Sequence, residues 1–366
     1  MKSVVAAACL TTALVACSPS AGPPATGGPP ATTAGLVPGQ VTELARGLQM
    51  PWGLAFLPDG TALVSGRVSG EIHRIPGGGG EAALVGSVPG VTQSAEGGLL
   101  GLATSPAFES DRTVFAYVSS SPANRVVALR IAEDFQSLHQ ERVVLDGIGT
   151  GNRHHGGRLQ FGPDGNLWIG TGDAFDTTTA PNRDSLNGKV LRIRPDGTVP
   201  PDNPFGTPVF STGHRNVQGI AFAQDGTAYA AELGLNAWDE LNVLRAGADY
   251  GWPAAEGPDG RGGERPIFAL RPTEASPSGI AYAGGAVWAA CLRGQRLWRL
   301  PVNGSTRAGD PTAHLVEQYG RLRAVHVAPD GALWITTSNT DRTTLGGVAP
   351  TNGDDRVLRV ELVPAR

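Results

Sequence analysis

The sequence predicts an all-β protein, a six-bladed β-propeller preceded by an export signal and a flexible tether. Composition is the first indication. The 366 residues include 52 Gly and 29 Pro, only 17% are charged, and Val, Thr and Trp recur in short runs, as expected of many short strands joined by tight turns. Repetition is the second: one hairpin pattern recurs six times. The third is the confinement of polar residues to a few loops. Length alone allows two domains, but all-β folds often run well past about 200 residues as one unit, and no long amphipathic helical stretch stands out.

The chain begins Met1-Lys2, continues through an apolar stretch from Val4 to Ala16, and reaches Leu14-Val15-Ala16-Cys17. This reads as a signal peptide over residues 1–16. A cysteine after small residues resembles a bacterial lipobox, so Cys17 is expected to be lipidated and to anchor an exported protein to a membrane without spanning it. Residues 17–39, CSPSAGPPATGGPPATTAGLVPG, are uncharged and almost free of large apolar side chains, so they are expected to form a linker. The propeller is expected over residues 40–366. With Cys9 removed and Cys17 modified, Cys291 is left alone as a buried small hydrophobe. The formal net charge of −4 gives no basic field for nucleic acid, and no later segment has the roughly 18 apolar residues of a membrane span.

The clearest hairpins are GLAFLPDGTALVSG (53–66), GRLQFGPDGNLWIGTG (157–172), GIAFAQDGTAYAAE (219–232) and AVHVAPDGALWITT (324–337). Weaker copies, GLATSPAFESDRTVFAYV (101–118) and GIAYAGGAVWAA (279–290), fill the gaps. Their turns recur about every fifty residues, the period of a propeller blade, and Asp-Gly between apolar strands is a strong hairpin signal. Trp168, Trp288 and Trp334 follow their turns at the same place, which predicts packing between blades. The turn aspartates read as structural. VTELARGL (41–48) and DRVLRVEL (355–362) are suited to closing the ring by pairing the two ends of the chain.

Loops that a propeller does not need to be polar then define the candidate site. Adjacent His154 and His155 sit in a glycine-rich turn; a loop histidine can act as a base near neutral pH, and a carboxylate such as Asp173 can hold its tautomer. Arg215-Asn216 offers a fixed cation and an amide where negative charge develops. Arg293, Arg321 and Arg323 imply an anionic ligand. Glu232, Asp239 and Glu240, near chain kinks at Gly234 and Gly251, suggest oxygen ligands for a hard cation, although without EF-hand spacing. There is no zinc spacing, P-loop or Gly-x-Ser-x-Gly element.

Taken in order, EGGLLGLATSPAF, HHGGRLQFGPDGNLWIGTGD, GKVLRIRPDGTVPPDNPF, GHRNVQGIAF, DELNVLRAGADYGWP and RLRAV make the chain from Gln40 onward resemble the soluble glucose and aldose sugar dehydrogenases that depend on pyrroloquinoline quinone (PQQ). The resemblance implies a general base at His154 rather than His155, a companion carboxylate at Asp173 and a cofactor-side arginine at Arg215. It implies cofactor contacts from Glu96, Asn216, Arg293, Arg321 and Arg323. A cofactor-bound Ca²⁺ would be held by the backbone carbonyls of Gly234 and Leu235, and a second, structural calcium would involve Asp239, Glu240 and the Tyr250 backbone. The implied reaction oxidises the anomeric hydroxyl of an aldose to a lactone by hydride transfer to calcium-bound PQQ, with a quinone or cytochrome outside the chain as electron acceptor.

Three positions depart from the family pattern. Leu233 and Leu235 stand where a polar side chain and a proline are usual, and Glu96 replaces a neutral glutamine. A carboxylate there is unfavourable beside an anionic cofactor unless an arginine or calcium offsets it. Two other functions remain consistent with the architecture: a non-enzymatic surface propeller that binds carbohydrate or protein, and a calcium-dependent lactone hydrolase.

Overall fold

Each predicted hairpin becomes the two inner strands of one blade. In the computed structural model, which describes Met1 and residues 35–259, 262–341 and 355–365, six antiparallel sheets form the ring. The inner pairs are Pro51–Phe56 with Ala62–Gly66, Leu99–Thr104 with Thr113–Val118, Gly156–Phe161 with Leu167–Thr171, Val217–Phe222 with Ala228–Glu232, Pro277–Ala283 with Ala286–Cys291, and Leu322–Val327 with Leu333–Thr337. Two further strands complete each of blades one to four; blade five adds a short extra pairing at Thr306–Arg307. One four-residue α-helix, Phe108–Asp111, occupies the turn of the second hairpin.

Blade six joins both ends of the chain. Its third strand, Arg356–Pro364, pairs outward with Leu36–Arg46, placing Val41 opposite Val360 and Thr42 opposite Arg359. The closing segments are those expected, but the strand starts at Leu36 rather than at Gln40. Leu36, Val37 and Pro38, assigned above to the linker, face Pro364, Val363 and Leu362. The reason is tertiary: Leu36 packs on the apolar cluster around Trp288 and Leu358, and a proline is tolerated on an edge strand, where its missing N–H has no partner to lose. The expected signal peptide, Cys17 and the linker up to Ala34 lie outside the described residues.

The core is divided among the gaps between blades. Trp168 packs against Phe210 and Phe222, Trp288 against Leu322 and Val325 of the next blade, and Trp334 against Phe56 of blade one, with ring centroids 5.1 Å apart. The turn aspartates are structural as expected: Asp59, Asp164, Asp225 and Asp330 each accept the backbone N–H two residues on. Cys291 is fully buried, which raises its thiol well above the usual range. Inner strands crowd the axis, so that a Cβ on Gly101 would lie 2.2 Å from the Gly157 carbonyl oxygen.

This topology positions the site. Every inner strand starts, and every second strand ends, on the same rim of the ring, so the loops at those points from different blades converge there. A separate groove at the closure seam, lined by Glu43, Arg46, Glu71 and His73, carries none of the predicted site residues.

Candidate active site

His154 leads into the inner strand of blade three and Asp173 follows the second, so the hairpin returns them to each other. His154 Nδ1 lies 2.7 Å from Asp173 Oδ1. Asp173 is 1% exposed, and burial alone would raise its pKa. The contacts to His154 and the N–H groups of Phe175 (2.9 Å) and Trp252 (2.8 Å) outweigh that, holding the carboxyl below its usual range. An ionised carboxylate only accepts hydrogen bonds, so the imidazole proton is assigned to Nδ1 and Nε2 is left as the basic atom. Among the described residues Nε2 has no hydrogen-bond partner.

His155 is different. Its ring nitrogens meet Ser94, Ser119 and Asn124, and burial pushes its pKa down to about 4. It is a neutral strut, so the two adjacent histidines sit in different environments.

Arg215 and Asn216 precede the inner strand of blade four. The Arg215 backbone N–H and the His214 ring are both held by Glu232, which binds Arg215 N at 2.9 Å and His214 Nδ1 at 2.9 Å. Glu232 is therefore occupied as a buried anchor. Arg215 Nη1 donates to the Leu233 carbonyl (2.9 Å), and its guanidinium lies 5.5 Å from the centre of the Trp252 ring, so Trp252 bridges Asp173 and Arg215. Asn216 Oδ1 accepts from Gly156 N at 3.0 Å, tying blade four to the histidine loop.

Beside this cluster is a pocket whose walls include Trp52, Arg67, Glu96, Asn216, Leu233, Leu292, Arg323 and Asp341. Arg67 and Arg323 each donate to one oxygen of Asp341, both at 3.1 Å. Arg321 stands two residues before Arg323 and is also buried. Burial lowers the pKa of Arg323 to about 10 and that of Arg321 in the same direction, leaving both cationic near neutrality. Among the described residues Arg321 Nη2, Arg323 Nε and Arg215 Nε are buried without a partner. An unmade buried hydrogen bond costs on the order of 1–3 kcal/mol, so these orphaned donors fit a ligand bearing several anionic oxygens.

Glu96 lines this pocket, and its Oε2 accepts the His154 backbone N–H at 2.9 Å. Its charge acts on both Arg215 and Arg323, so the arginines offset the carboxylate. Arg293 is exposed at the rim and does not line the pocket; its neighbour Leu292 does.

Gly234 and Leu235 follow the second strand of blade four. A Cβ at Gly234 would lie 1.7 Å from the Trp238 carbonyl oxygen, so the turn requires glycine. Glu256 Oε1 gathers the N–H groups of Leu235, Ala237 and Trp238. Because the Gly234 carbonyl is trans to the Leu235 N–H in one peptide plane, it points away from Glu256. Neither the Gly234 nor the Leu235 carbonyl accepts a hydrogen bond among the described residues. Two carbonyls free of protein donors on a pinned loop suit a hard cation.

The carboxylates of the expected second calcium cluster are each engaged by protein donors. Asp239 and Glu240 are successive residues of one strand, so their side chains leave on opposite faces. Asp239 accepts from Gly234 N and Ser276 N, while Glu240 accepts from Gly257 N and Asn242. The Tyr250 N–H is paired with the Thr212 carbonyl. Among the described residues no group of three or more His, Cys, Asp or Glu converges. Burial raises Asp239 to about 6 and Glu240 to about 7.

Sequence reasoning missed Arg67, Asp341, Trp252 and Phe175. A usable signal existed for three of them. Arg67, Asp341 and Phe175 come soon after the second strand of their blades, the same place as Asp173 and Leu233, and topology sends that place to the rim.

The family described as Glucose / Sorbosone dehydrogenase matches residues 48–345. An aldose sugar dehydrogenase of Escherichia coli is 30% identical over 337 residues, covering 82% of this chain and 90% of that protein. Quinoprotein glucose dehydrogenase B of Acinetobacter calcoaceticus is 30% identical over 247 residues, covering 57% of this chain and 51% of that protein. The PQQ-bound form of an aldose sugar dehydrogenase from Streptomyces coelicolor is 48% identical and superposes with a TM-score of 0.84, over 88% of this chain and 98% of that structure.

Proposed function

The chain belongs to the glucose/sorbosone dehydrogenase family, and from that premise we propose that it is a PQQ-dependent aldose sugar dehydrogenase that converts the anomeric hydroxyl to a lactone. The observation that carries this reading is the His154–Asp173 pair beside a pocket lined by Arg67 and Arg323, with Arg321 and Arg215 buried near it.

Arg321 and Arg323 would hold the carboxylates of PQQ, joined by Asn216 and, from the rim, Arg293. The carbonyls of Gly234 and Leu235 would hold the calcium. When bound, the quinone supplies the two-electron acceptor for the hydrogen on C1. His154 Nε2 takes the proton of the anomeric hydroxyl, and Asp173 stabilises the resulting imidazolium and fixes its orientation. Arg215 places an immobile positive charge beside this pair, steadied by Glu232 and Trp252. Glu96 anchors the backbone of the base, which explains why a carboxylate is tolerated there. The Leu14–Cys17 segment supports export and lipid anchoring at the membrane surface as part of the same proposal.

The test is an absorbance titration of the EDTA-treated chain with PQQ, with and without Ca²⁺, followed by glucose. Saturable, calcium-dependent binding at about one PQQ per chain, then bleaching by sugar, is expected. No binding, or binding without bleaching by any of a broad panel of aldoses, refutes the dehydrogenase and returns attention to surface ligands.

A further inference from the structure

Phe175 is a large apolar side chain that the mechanism above does not use. It is 62% exposed, while the imidazole it covers belongs to a residue only 7% exposed. The ring centroids of Phe175 and His154 are 4.2 Å apart with the planes inclined at 33°. Single exposed apolar residues are ordinary on a protein surface. This one differs because the chain holds it rigidly. Its N–H donates to Asp173 Oδ1, the oxygen that also meets His154. The following turn is tied back to Asp173 through Asp176 N, and buried Lys189 donates to the carbonyls of Thr179 and Ala180. Ala174 and Phe175 both adopt left-handed backbone, with φ of 53° and 67°. Side-chain-bearing residues keep that conformation only where their surroundings impose it, and such positions gather at functional sites.

One face of the Phe175 ring therefore covers the base, and the remainder of the ring is exposed beside it on a backbone held in place. Leu235, 54% exposed, follows the equivalent strand of the neighbouring blade on the same rim. We infer that Phe175 is a specificity-determining residue, the platform on which the apolar C–H face of a pyranose ring stacks as its anomeric hydroxyl meets His154. This rests on the dehydrogenase reading and adds to it a preference for cyclic, six-membered aldoses. A rigid aromatic face gives affinity at small entropic cost, because neither loop nor ring must be ordered on binding.

The experiment uses the full chain loaded with PQQ and Ca²⁺, with F175A, F175L and F175Y beside the wild type. Alanine at φ 67° carries the same backbone strain as phenylalanine, so F175A removes the ring without changing the turn. Two ligands are measured: glucose as substrate, and methyl β-D-glucoside, which has no free anomeric hydroxyl, as a competitive inhibitor. In F175A the KM for glucose and the Ki of the glucoside should rise together by about 5- to 10-fold, with kcat within about threefold and the PQQ titration unchanged. F175Y should restore both constants to within about twofold. F175L should stay near F175A, because it covers the imidazole but offers no aromatic face. Saturation-transfer NMR of the glucoside gives a readout independent of turnover: transfer to its C–H protons should be present in wild type and lost in F175A. Unchanged KM and Ki in F175A, or full recovery in F175L, overturn the inference. A wild type that oxidises no aldose yet shows Phe175-dependent transfer removes the dehydrogenase reading alone; loss of both removes both.

Discussion

Replacing Asp173 by asparagine tests the proposed base most directly, because the shape of the side chain is kept and only its chemistry changes. The carboxylate receives His154 Nδ1 and Phe175 N on Oδ1 and Trp252 Nε1 on Oδ2. Asparagine offers one oxygen. If that oxygen stays opposite His154, the new NH2 meets the Trp252 N–H donor to donor. If the amide turns over, the NH2 faces Nδ1 and forces the imidazole proton onto Nε2, the atom that must accept the substrate proton. Both orientations also remove the negative charge facing the imidazolium. For unit charges about 4 Å apart at an effective dielectric near 20, that charge is worth on the order of 4 kcal/mol. The expected fall in kcat is therefore about 10³-fold. PQQ affinity should stay within about threefold, because Asp173 is outside the arginine pocket. Steady-state dye reduction at saturating glucose gives kcat, and the absorbance titration gives the cofactor affinity. A D173N protein with bound PQQ and kcat within tenfold of wild type would mean that Asp173 is not the partner of the base.

Three further outcomes follow from contacts already described. E96Q keeps an acceptor for the His154 N–H but removes a negative charge from the anion pocket, so PQQ should bind about tenfold more tightly, read by the same titration. Glu240 has a folded pKa raised to about 7 by burial, so its contribution to stability is fully present below its unfolded pKa of 4.5 and is lost as pH rises through 7. Between pH 5 and pH 8 the wild type should therefore lose on the order of 2 kcal/mol relative to E240Q, measured by denaturant unfolding at both pH values; parallel curves would contradict this. Lys189 Nζ donates to the carbonyls of Thr179, Ala180 and Asn187 at 2.7, 2.8 and 2.6 Å. K189M should lower unfolding stability by about 3 kcal/mol or more and reduce kcat by loosening the loop that carries Asp173 and Phe175; retention of wild-type stability would mean that the three carbonyls find other donors.

Much of the fold was legible because its determinants are short-range. Asp-Gly turns, strand-length apolar runs and tryptophans at a fixed offset are each decided within about fifteen residues, and their repetition fixes the number of blades. The linker boundary was less legible. Leu36 to Pro38 are poor in local signal and become strand only because the opposite end of the chain lies beside them. Within the site, the residues alone left His154 and His155 equivalent; the family resemblance singled out His154. In the structure the two rings differ in their surroundings: one imidazole faces the Asp173 carboxylate, whereas the other is enclosed by hydroxyls and an amide.

What the sequence by itself determined was therefore the all-β repeat, the ring closure and the chemical types available at the rim: a histidine–aspartate pair, a set of arginines and a carbonyl-bearing turn at Gly234. Only the tertiary structure decided which of them meet. Asp239 and Glu240 look like a ligand pair in sequence, but strand alternation sends them apart. Arg67 and Asp341 lie at opposite ends of the chain and yet form an ion pair at 3.1 Å, because closing the ring makes blades six and one neighbours. Local preferences set each strand and turn, whereas the direction of a side chain at the rim depends on blades that the chain reaches about fifty residues later.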